Sequence, residues 1–140
     1  MNDGMYDDRI KALAAAAKDL VRVDHADCVH ELDNFLCGDR VTLDIARDGG
    51  TVSAVGGRVR GCLLVQAAAA LIARDAPGKS DDELKAASAQ IENLLAWGGS
   101  DGPWADAAAF TPVHNHRHRH DCVLLPFQAL KACLKETEGG

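Results

Sequence analysis

The feature that most constrains the fold is an apolar segment near the middle of the chain, residues 62–73, in which only Gln66 is polar. A helix without a polar face has to be covered on nearly every side, so this segment predicts a buried central helix. It stops before Pro77-Gly78, a pair that is typical of a helix end. The segment is also too short to span a bilayer, which needs about 20 apolar residues.

The rest of the chain can supply that cover as one domain. Of its 140 residues, 47% are hydrophobic and 26% are charged, which is the composition of an ordinary globular domain. The net charge of −6 argues against nucleic acid as a partner and against docking on anionic membranes, because both favour a positive protein surface. Residues 1–8 have no signal-peptide pattern, so a cytoplasmic location is expected.

Strands are predicted ahead of the apolar segment. Residues 28–32 alternate weakly between apolar and polar side chains, and residues 41–46 alternate clearly. The Asp-Gly-Gly sequence at 48–50 is a hairpin-turn signal, and a further strand is predicted over 51–60. The glycine pair at 56–57 indicates a bulge or a bend in that strand.

Helices are predicted on both sides of these strands. Apolar spacing predicts a helix over about 6–20, and another that begins at a capping box formed by Ser80 and Glu83 and continues to Gly98. The last helix is predicted over about 126–136, with a proline at its first position. A helix, a small antiparallel sheet and then further helices predict an α+β single domain.

The cysteines are the main candidates for functional residues. Their number is odd, and they are Cys28, Cys37, Cys62, Cys122 and Cys133. In a reducing compartment disulfides are not expected, so the thiols would be free, catalytic or metal-bound. Cys133 follows Cys122 by eleven residues, too far along one helix to share a metal with it, and is interpreted as a core residue. Cys28 is expected to be structural.

The other three cysteines occupy positions where ligands can converge. Cys37-Gly38-Asp39 puts a thiol and a carboxylate on a turn just before a strand. Cys62 opens the apolar helix, where the helix dipole favours a thiolate, and Cys122 precedes the last helix. Any one of these thiols could instead be a small packed side chain. Together with Asp39 they make a possible four-ligand set for zinc or an iron–sulfur cluster.

Three segments carry a resemblance to a known family. They read Asn-Phe-Leu-Cys-Gly-Asp-Arg-Val at 34–41, Arg-Gly-Cys at 60–62, and Arg-His-Asp-Cys-Val-Leu-Leu at 119–125. Together they resemble the U-type iron–sulfur cluster scaffolds, the family of IscU, SufU and the NifU N-terminal domain, over about residues 6–134. The resemblance implies a SufE/NifU-like fold, with about three antiparallel strands packed against helices in a single domain over residues 1–140.

The resemblance also implies a site and partners. Cys37, Asp39, Cys62 and Cys122 would bind a [2Fe–2S] cluster or a zinc ion, with Cys37 as the acceptor of persulfide sulfur from a cysteine desulfurase. The long interval between the second and third cysteine ligands, and Arg119 three residues before the third, are more similar to SufU than to IscU. A SufS-like desulfurase is therefore implied, with a downstream iron–sulfur carrier or apo-protein as the recipient.

Two positions depart from the family pattern. Phe35 stands where the family has proline, and Gln66-Ala-Ala-Ala-Ala stands where it has a run of the type Ser-x-Ala-Ser. The first bears on the shape of the ligand loop, and the second removes hydroxyl groups near the site. Both departures leave the four ligands in place.

A His-rich loop is predicted over 111–121, with histidines at 114, 116, 118 and 120. A solvated loop is the favoured interpretation, although in an extended chain the four imidazoles would share a face and could bind metal transiently. His120, two residues before Cys122, is the best candidate for a swapped or spare ligand. Trp97 and Trp104 are expected to be packing anchors.

Two other functions stay open from the residues alone. A cysteine-nucleophile enzyme would need a base beside one thiol, for which His25, His30 and the His-rich loop offer candidates. A structural zinc protein or metal buffer would hold metal without reacting with a desulfurase. A scaffold would not be an enzyme, apart from a zinc-dependent sulfurtransferase activity.

Overall fold

Three antiparallel strands form one sheet in the order β1-β2-β3, and the helices pack against it. A computed structural model describes residues 8–35, 38–99 and 101–139, with side chains to residue 135. Its elements are α1 Asp8–Ala16, β1 Cys28–Asn34, β2 Asp39–Asp48, β3 Thr51–Arg60, α2 Leu63–Asp75, α3 Asp81–Trp97 and α4 His120–Gly139. Short 3-10 helices cover Ala17–Asp19, Ala105–Asn115 and Arg117–Arg119. The predicted α+β class is confirmed.

Helix α2 is the centre of the core. All its residues from Leu64 to Ile72 are buried except Gln66, as predicted from its apolar composition. It packs against α1, α4 and β3. Helix α3 begins at the predicted capping box, in which the Ser80 hydroxyl and the Glu83 carboxylate each bond the other's backbone N–H. No helix in the described part of the chain is both long and apolar enough to cross a bilayer.

The glycine pair in β3 serves close packing rather than a bulge. The register of the sheet shifts instead between Ala46 and Arg47 of β2. A Cβ at Gly56 would collide with the carbonyl oxygen of Val21, and the Gly57 N–H donates to that same oxygen over 2.9 Å. The segment that follows α1 therefore lies directly on the strand, and the predicted bulge at this point is wrong.

Helix α4 begins six residues before the predicted start, at His120, so Pro126 lies inside it and not at its first position. Pro126 has no N–H to donate to the carbonyl four residues back, which disfavours an interior position. Burial outweighs that cost, because Cys122, Val123 and Leu125 of the early turns are all buried in the core. Cys122 is therefore a residue of the first helical turn.

Two cysteines that were expected to be free are joined. Cys28 at the start of β1 and Cys133 in α4 form a disulfide, with their Cα atoms 5.7 Å apart. Both are buried, as predicted for core and structural cysteines, but the expectation of unpaired thiols is wrong for this pair. The expectation rested on the compartment alone, and the packing of α4 across β1 brings the two side chains together.

The two tryptophans have different environments. Trp104 is buried, and the Gln90 side chain bonds both its N–H and its carbonyl oxygen, at 3.0 and 2.9 Å. It is the packing anchor that was predicted. Trp97, at the end of α3, is 82% exposed, so the same prediction is wrong for Trp97. Trp97 does not belong to the buried face of α3, which ends with Leu94 and Leu95.

A buried carboxylate ties the segment after α1 to the sheet. The Asp44 side chain on β2 is fully buried and accepts hydrogen bonds from the Arg22 guanidinium, at 2.7 and 3.0 Å, and from the Val23 N–H, at 2.9 Å. Burial acts to raise the pKa of Asp44, but these hydrogen bonds and the Arg22 charge outweigh it, so its pKa lies below the ordinary value.

We expect Asp44→Asn to reduce stability at neutral pH by an amount that shrinks in acid. A carboxyl with a lowered folded-state pKa stabilises the fold above its unfolded pKa, about 3.9, and that contribution is lost as the pH falls through the folded value. Urea unfolding of the wild type and of Asp44→Asn between pH 7 and pH 2.5 measures the gap between their free energies of unfolding. A gap that stays constant or widens in acid would contradict this assignment.

Candidate metal centre

Three predicted ligands from distant parts of the chain converge at one end of the sheet. Asp39 begins β2, Cys62 is the N-cap of α2, and Cys122 lies in the first turn of α4. One ligand atom of each lies within 4.8 Å of the others. The Asp39 and Cys122 side chains are buried, and Cys62 is half-buried. Of the two thiols described in this group, Cys62 is therefore the one that solvent and partners can approach.

The backbone around Cys62 holds the carboxylate. The Cys62 N–H donates to Asp39 Oδ1 over 3.1 Å, and Cys62 Sγ lies 4.0 Å from Asp39 Oδ2. One carboxylate oxygen is thus held by the main chain while the other faces the thiol. This arrangement leaves Oδ2 directed at the space shared with the sulfur atoms.

Gly61 makes this approach possible. Its φ of +146° lies in a region that favours glycine, and a Cβ at this position would collide with the Asp39 carboxylate. The motif Gly-Cys therefore has a steric basis, since the glycine lets the carboxylate reach the N-terminus of α2.

Cys37, the fourth predicted ligand, lies outside the described residues, so its role as ligand and as sulfur acceptor stays a prediction. Its neighbour Gly38 has a φ of +71°, the left-handed conformation that a tight turn before β2 favours.

The chemistry of the three described side chains fits a thiophilic metal. Sulfur and oxygen ligands around one tetrahedral zinc lie about 3.5–3.8 Å apart, so side chains whose ligand atoms are within 4.8 Å need only a small closure. Two thiolates with one carboxylate suit zinc or an iron–sulfur cluster better than a hard cation such as Mg²⁺. A fourth ligand is needed to complete a tetrahedral site, and Cys37 is the predicted one.

His120 makes main-chain contacts instead of joining this group. Its Nε2 lies 3.1 Å from the carbonyl oxygens of both Val113 and His114. The group of converging metal-ligating side chains found in the described part of the chain does not include it. A role for His120 as a spare ligand therefore stays a prediction, and the grouping of Asp39, Cys62 and Cys122 does not support it.

The His-rich loop consists mainly of 3-10 turns rather than extended chain. The segments Ala105–Asn115 and Arg117–Arg119 are 3-10 helix, and His120 already belongs to α4. The His114 ring nitrogen Nδ1 bonds the Leu95 carbonyl oxygen at the end of α3, at 2.8 Å. The His116 and His118 rings lie edge to face with their centroids 6.1 Å apart, and His114 joins this segment to α3.

Sequence reasoning gave Gln66 no positive role, although its side chain lies against the site. Its Nε2 donates to the Gly61 carbonyl oxygen over 2.8 Å, and its backbone N–H donates to the Cys62 carbonyl over 3.2 Å. A usable signal was present, since Gln66 is the single polar residue of the apolar segment 62–73 and lies four positions after a candidate ligand.

Known proteins resemble this chain in both sequence and structure. The chain is 31% identical to the N-terminal NifU-like protein of Brucella abortus, a solved structure, over 98% of this chain and 96% of that one, with a TM-score of 0.90. The chain belongs to the U-type iron–sulfur cluster scaffold family. No family model matches it.

Other U-type relatives cover the chain almost end to end. The structure of a putative SUF-system scaffold protein from Fervidobacterium islandicum has 27% identity and a TM-score of 0.85, over 93% of this chain and 96% of that one. The scaffold protein IscU of Thermotoga maritima is 26% identical over 133 residues, 94% of each chain. The predicted α+β fold of the U-type family is thus confirmed over the whole described chain.

Proposed function

We propose that this protein is an iron–sulfur cluster assembly scaffold. It accepts sulfur from a cysteine desulfurase and binds a [2Fe–2S] cluster or a zinc ion through Cys37, Asp39, Cys62 and Cys122. The observation that carries the proposal is the convergence of Asp39, Cys62 and Cys122, whose ligand atoms lie within 4.8 Å of one another although they come from three separate elements. The names of the Thermotoga and Fervidobacterium relatives support the same function.

The surroundings of the ligands favour holding a cluster at the protein edge. Cys122 and Asp39 are buried, while Cys62 is half-buried, so one side of the site is shielded from water and the other is open to a partner. Cysteine ligands must lose their protons to bind, so loading releases protons to solvent. When bound, zinc would keep the thiols as thiolates, which are the nucleophilic form.

The sulfur-transfer step needs no external oxidant or reductant. The Cys37 thiolate attacks the terminal sulfur of the desulfurase persulfide and forms a new S–S bond. The S–S bond of the enzyme persulfide breaks, and the electron pair leaves with the enzyme cysteine as a thiolate. The products are a Cys37 persulfide and the enzyme thiolate, and the proton of the terminal sulfur stays with it or exchanges with solvent.

The proposal includes the finer predictions made from the sequence. The sulfur donor is a SufS-like desulfurase, and the assembled cluster passes to an iron–sulfur carrier or an apo-protein. The location is the cytoplasm, where the half-buried Cys62 thiol stays reduced, whereas the Cys28–Cys133 disulfide is buried away from soluble reductants. A zinc-dependent sulfurtransferase activity would follow if zinc is the resident metal.

Sulfur transfer is tested with ³⁵S-cysteine, a SufS-like desulfurase and this protein, followed by non-reducing electrophoresis. We expect label on the wild-type chain, its loss in Cys37→Ala, and its retention in Asp121→Asn, a control in which an exposed neighbour of Cys122 is changed. Equal labelling of Cys37→Ala would reject Cys37 as the acceptor. A wild-type chain without label would reject the relay and favour a structural zinc protein.

A further inference from the structure

The peptide group between Gly61 and Cys62 is held from both sides. Its carbonyl oxygen accepts a hydrogen bond from the Gln66 side-chain amide at 2.8 Å, and its N–H donates to Asp39 Oδ1 at 3.1 Å. A continuous chain of hydrogen bonds therefore runs from Gln66 through this peptide to the carboxylate. Such chains polarise each member in turn and are stronger than isolated bonds.

This peptide is one that would otherwise rotate easily. Gly61 has no Cβ to restrict its backbone, and Cys62 at the N-cap makes no side-chain capping bond to the first turn of α2. Rotation of the peptide would turn the Cys62 N–H away from Asp39. The carboxylate would then lose the donor that keeps its second oxygen, Oδ2, 4.0 Å from the Cys62 sulfur.

We propose that Gln66 is a positioning residue of the metal centre. It acts through the Gly61–Cys62 peptide and fixes the relative placement of Asp39 and Cys62. The inference rests on the proposed function, because it concerns the same site. It also accounts for the one polar residue in the apolar segment 62–73, where only Gln66, itself half-buried, interrupts the buried run from Leu64 to Ile72.

The test replaces the amide without changing the side-chain length. In Gln66→Met the donor is lost, and we expect zinc affinity, measured by chelator competition, to fall about 10- to 100-fold, the usual effect of removing an outer-shell partner. The visible spectrum of the Co²⁺-loaded variant should differ from that of the wild type. Gln128→Met, which changes an exposed glutamine of α4, should match the wild type in both measurements.

Amide hydrogen exchange in metal-free protein tests the positioning of the Gly61–Cys62 peptide independently of metal binding. Without its Gln66 partner the Gly61–Cys62 peptide should rotate more freely, so the Cys62 amide should exchange with deuterium at least several-fold faster in Gln66→Met, while core amides of α2 keep their wild-type rates. Gln66→Glu serves as a second variant, because a carboxylate near a helix N-terminus supports the helix yet cannot donate to Gly61. It should reproduce the loss of affinity with a folded chain.

The outcomes distinguish the two claims. Wild-type zinc binding together with unchanged affinity, Co²⁺ spectrum and Cys62 exchange in both Gln66 variants would overturn the positioning role alone. A wild-type protein that binds no zinc and no cluster would overturn the proposed function, and the inference with it. Faster exchange with weaker binding in both variants would support the inference.

Discussion

Reduction of the Cys28–Cys133 disulfide is expected to lower the free energy of unfolding by about 4 kcal/mol. The bond closes a loop with a sequence separation of 105 residues, and long loops lose the most chain entropy when they are closed in the unfolded state. For a domain of this length such a loss corresponds to a fall in Tm of roughly 10–15 °C. Thermal unfolding followed by circular dichroism, with and without a phosphine reductant, measures it.

The control is the double variant Cys28→Ser/Cys133→Ser. It should unfold at a lower temperature than oxidised wild type and should not respond to the reductant, whereas the wild type should respond. A wild-type Tm that is unchanged by reductant, with both thiols shown by alkylation to be free, would contradict the predicted stabilisation. The metal is removed beforehand so that the ligand thiols do not contribute.

Loss of the Cys122 sulfur, a proposed metal ligand, should have the second large effect. We expect Cys122→Ala to weaken zinc binding by more than 100-fold, because removing an outer-shell partner alone costs 10- to 100-fold. Cys122 is fully buried beside Asp39 and Cys62, so no solvent-exposed side chain can replace it without rearrangement of the core. Chelator competition on metal-free protein measures the affinity.

A matched variant keeps this result specific. Asp121→Asn changes the preceding residue of α4, an exposed carboxylate outside the converging group, and should retain wild-type affinity. Removal of the buried Cys122 sulfur also leaves a small cavity, so the urea midpoint of each metal-free variant is recorded. Equal zinc affinity in Cys122→Ala and the wild type would show that Cys122 is not a ligand.

The elements were predictable where periodicity and capping agree. The apolar segment at 62–73 predicted α2 because nearly every side of that helix is buried, and Ser80 with Glu83 marked the start of α3. Strand β2 was predicted because residues 41–46 alternate, and β3 because a hairpin-turn signal precedes it; β3 ends at the predicted Arg60.

The errors share a physical cause, which is tertiary packing. Local rules assigned Pro126 to a helix start, but the buried face that begins with Cys122 extends α4 backwards through it. The glycine pair in β3 was interpreted as a bulge or a bend; the register shift lies elsewhere, and the glycines make room for the carbonyls of Val21 and Thr42. A single sequence does not show which distant residues become neighbours in the fold.

The candidate site was predicted from motif resemblance more than from spacing. The proposed ligands Asp39, Cys62 and Cys122 are separated by long intervals, so only the fold brings them together. The supporting residues were less visible, because the role of Gln66 depends on the direction of one carbonyl group, that of Gly61. The Cys28–Cys133 pair was missed for the same reason, since it requires the crossing of α4 over β1.

We expect one site per chain, built from Cys37, Asp39, Cys62 and Cys122, to bind a metal or a cluster. This is tested by measuring the metal and acid-labile sulfide content of protein purified anaerobically, wild type beside Cys37→Ala. The wild type should contain either about one zinc per chain without sulfide, or iron and sulfide in equal amounts, and in both cases the variant should lose them. A metal-free wild type, or metal retained in full by Cys37→Ala, would contradict it.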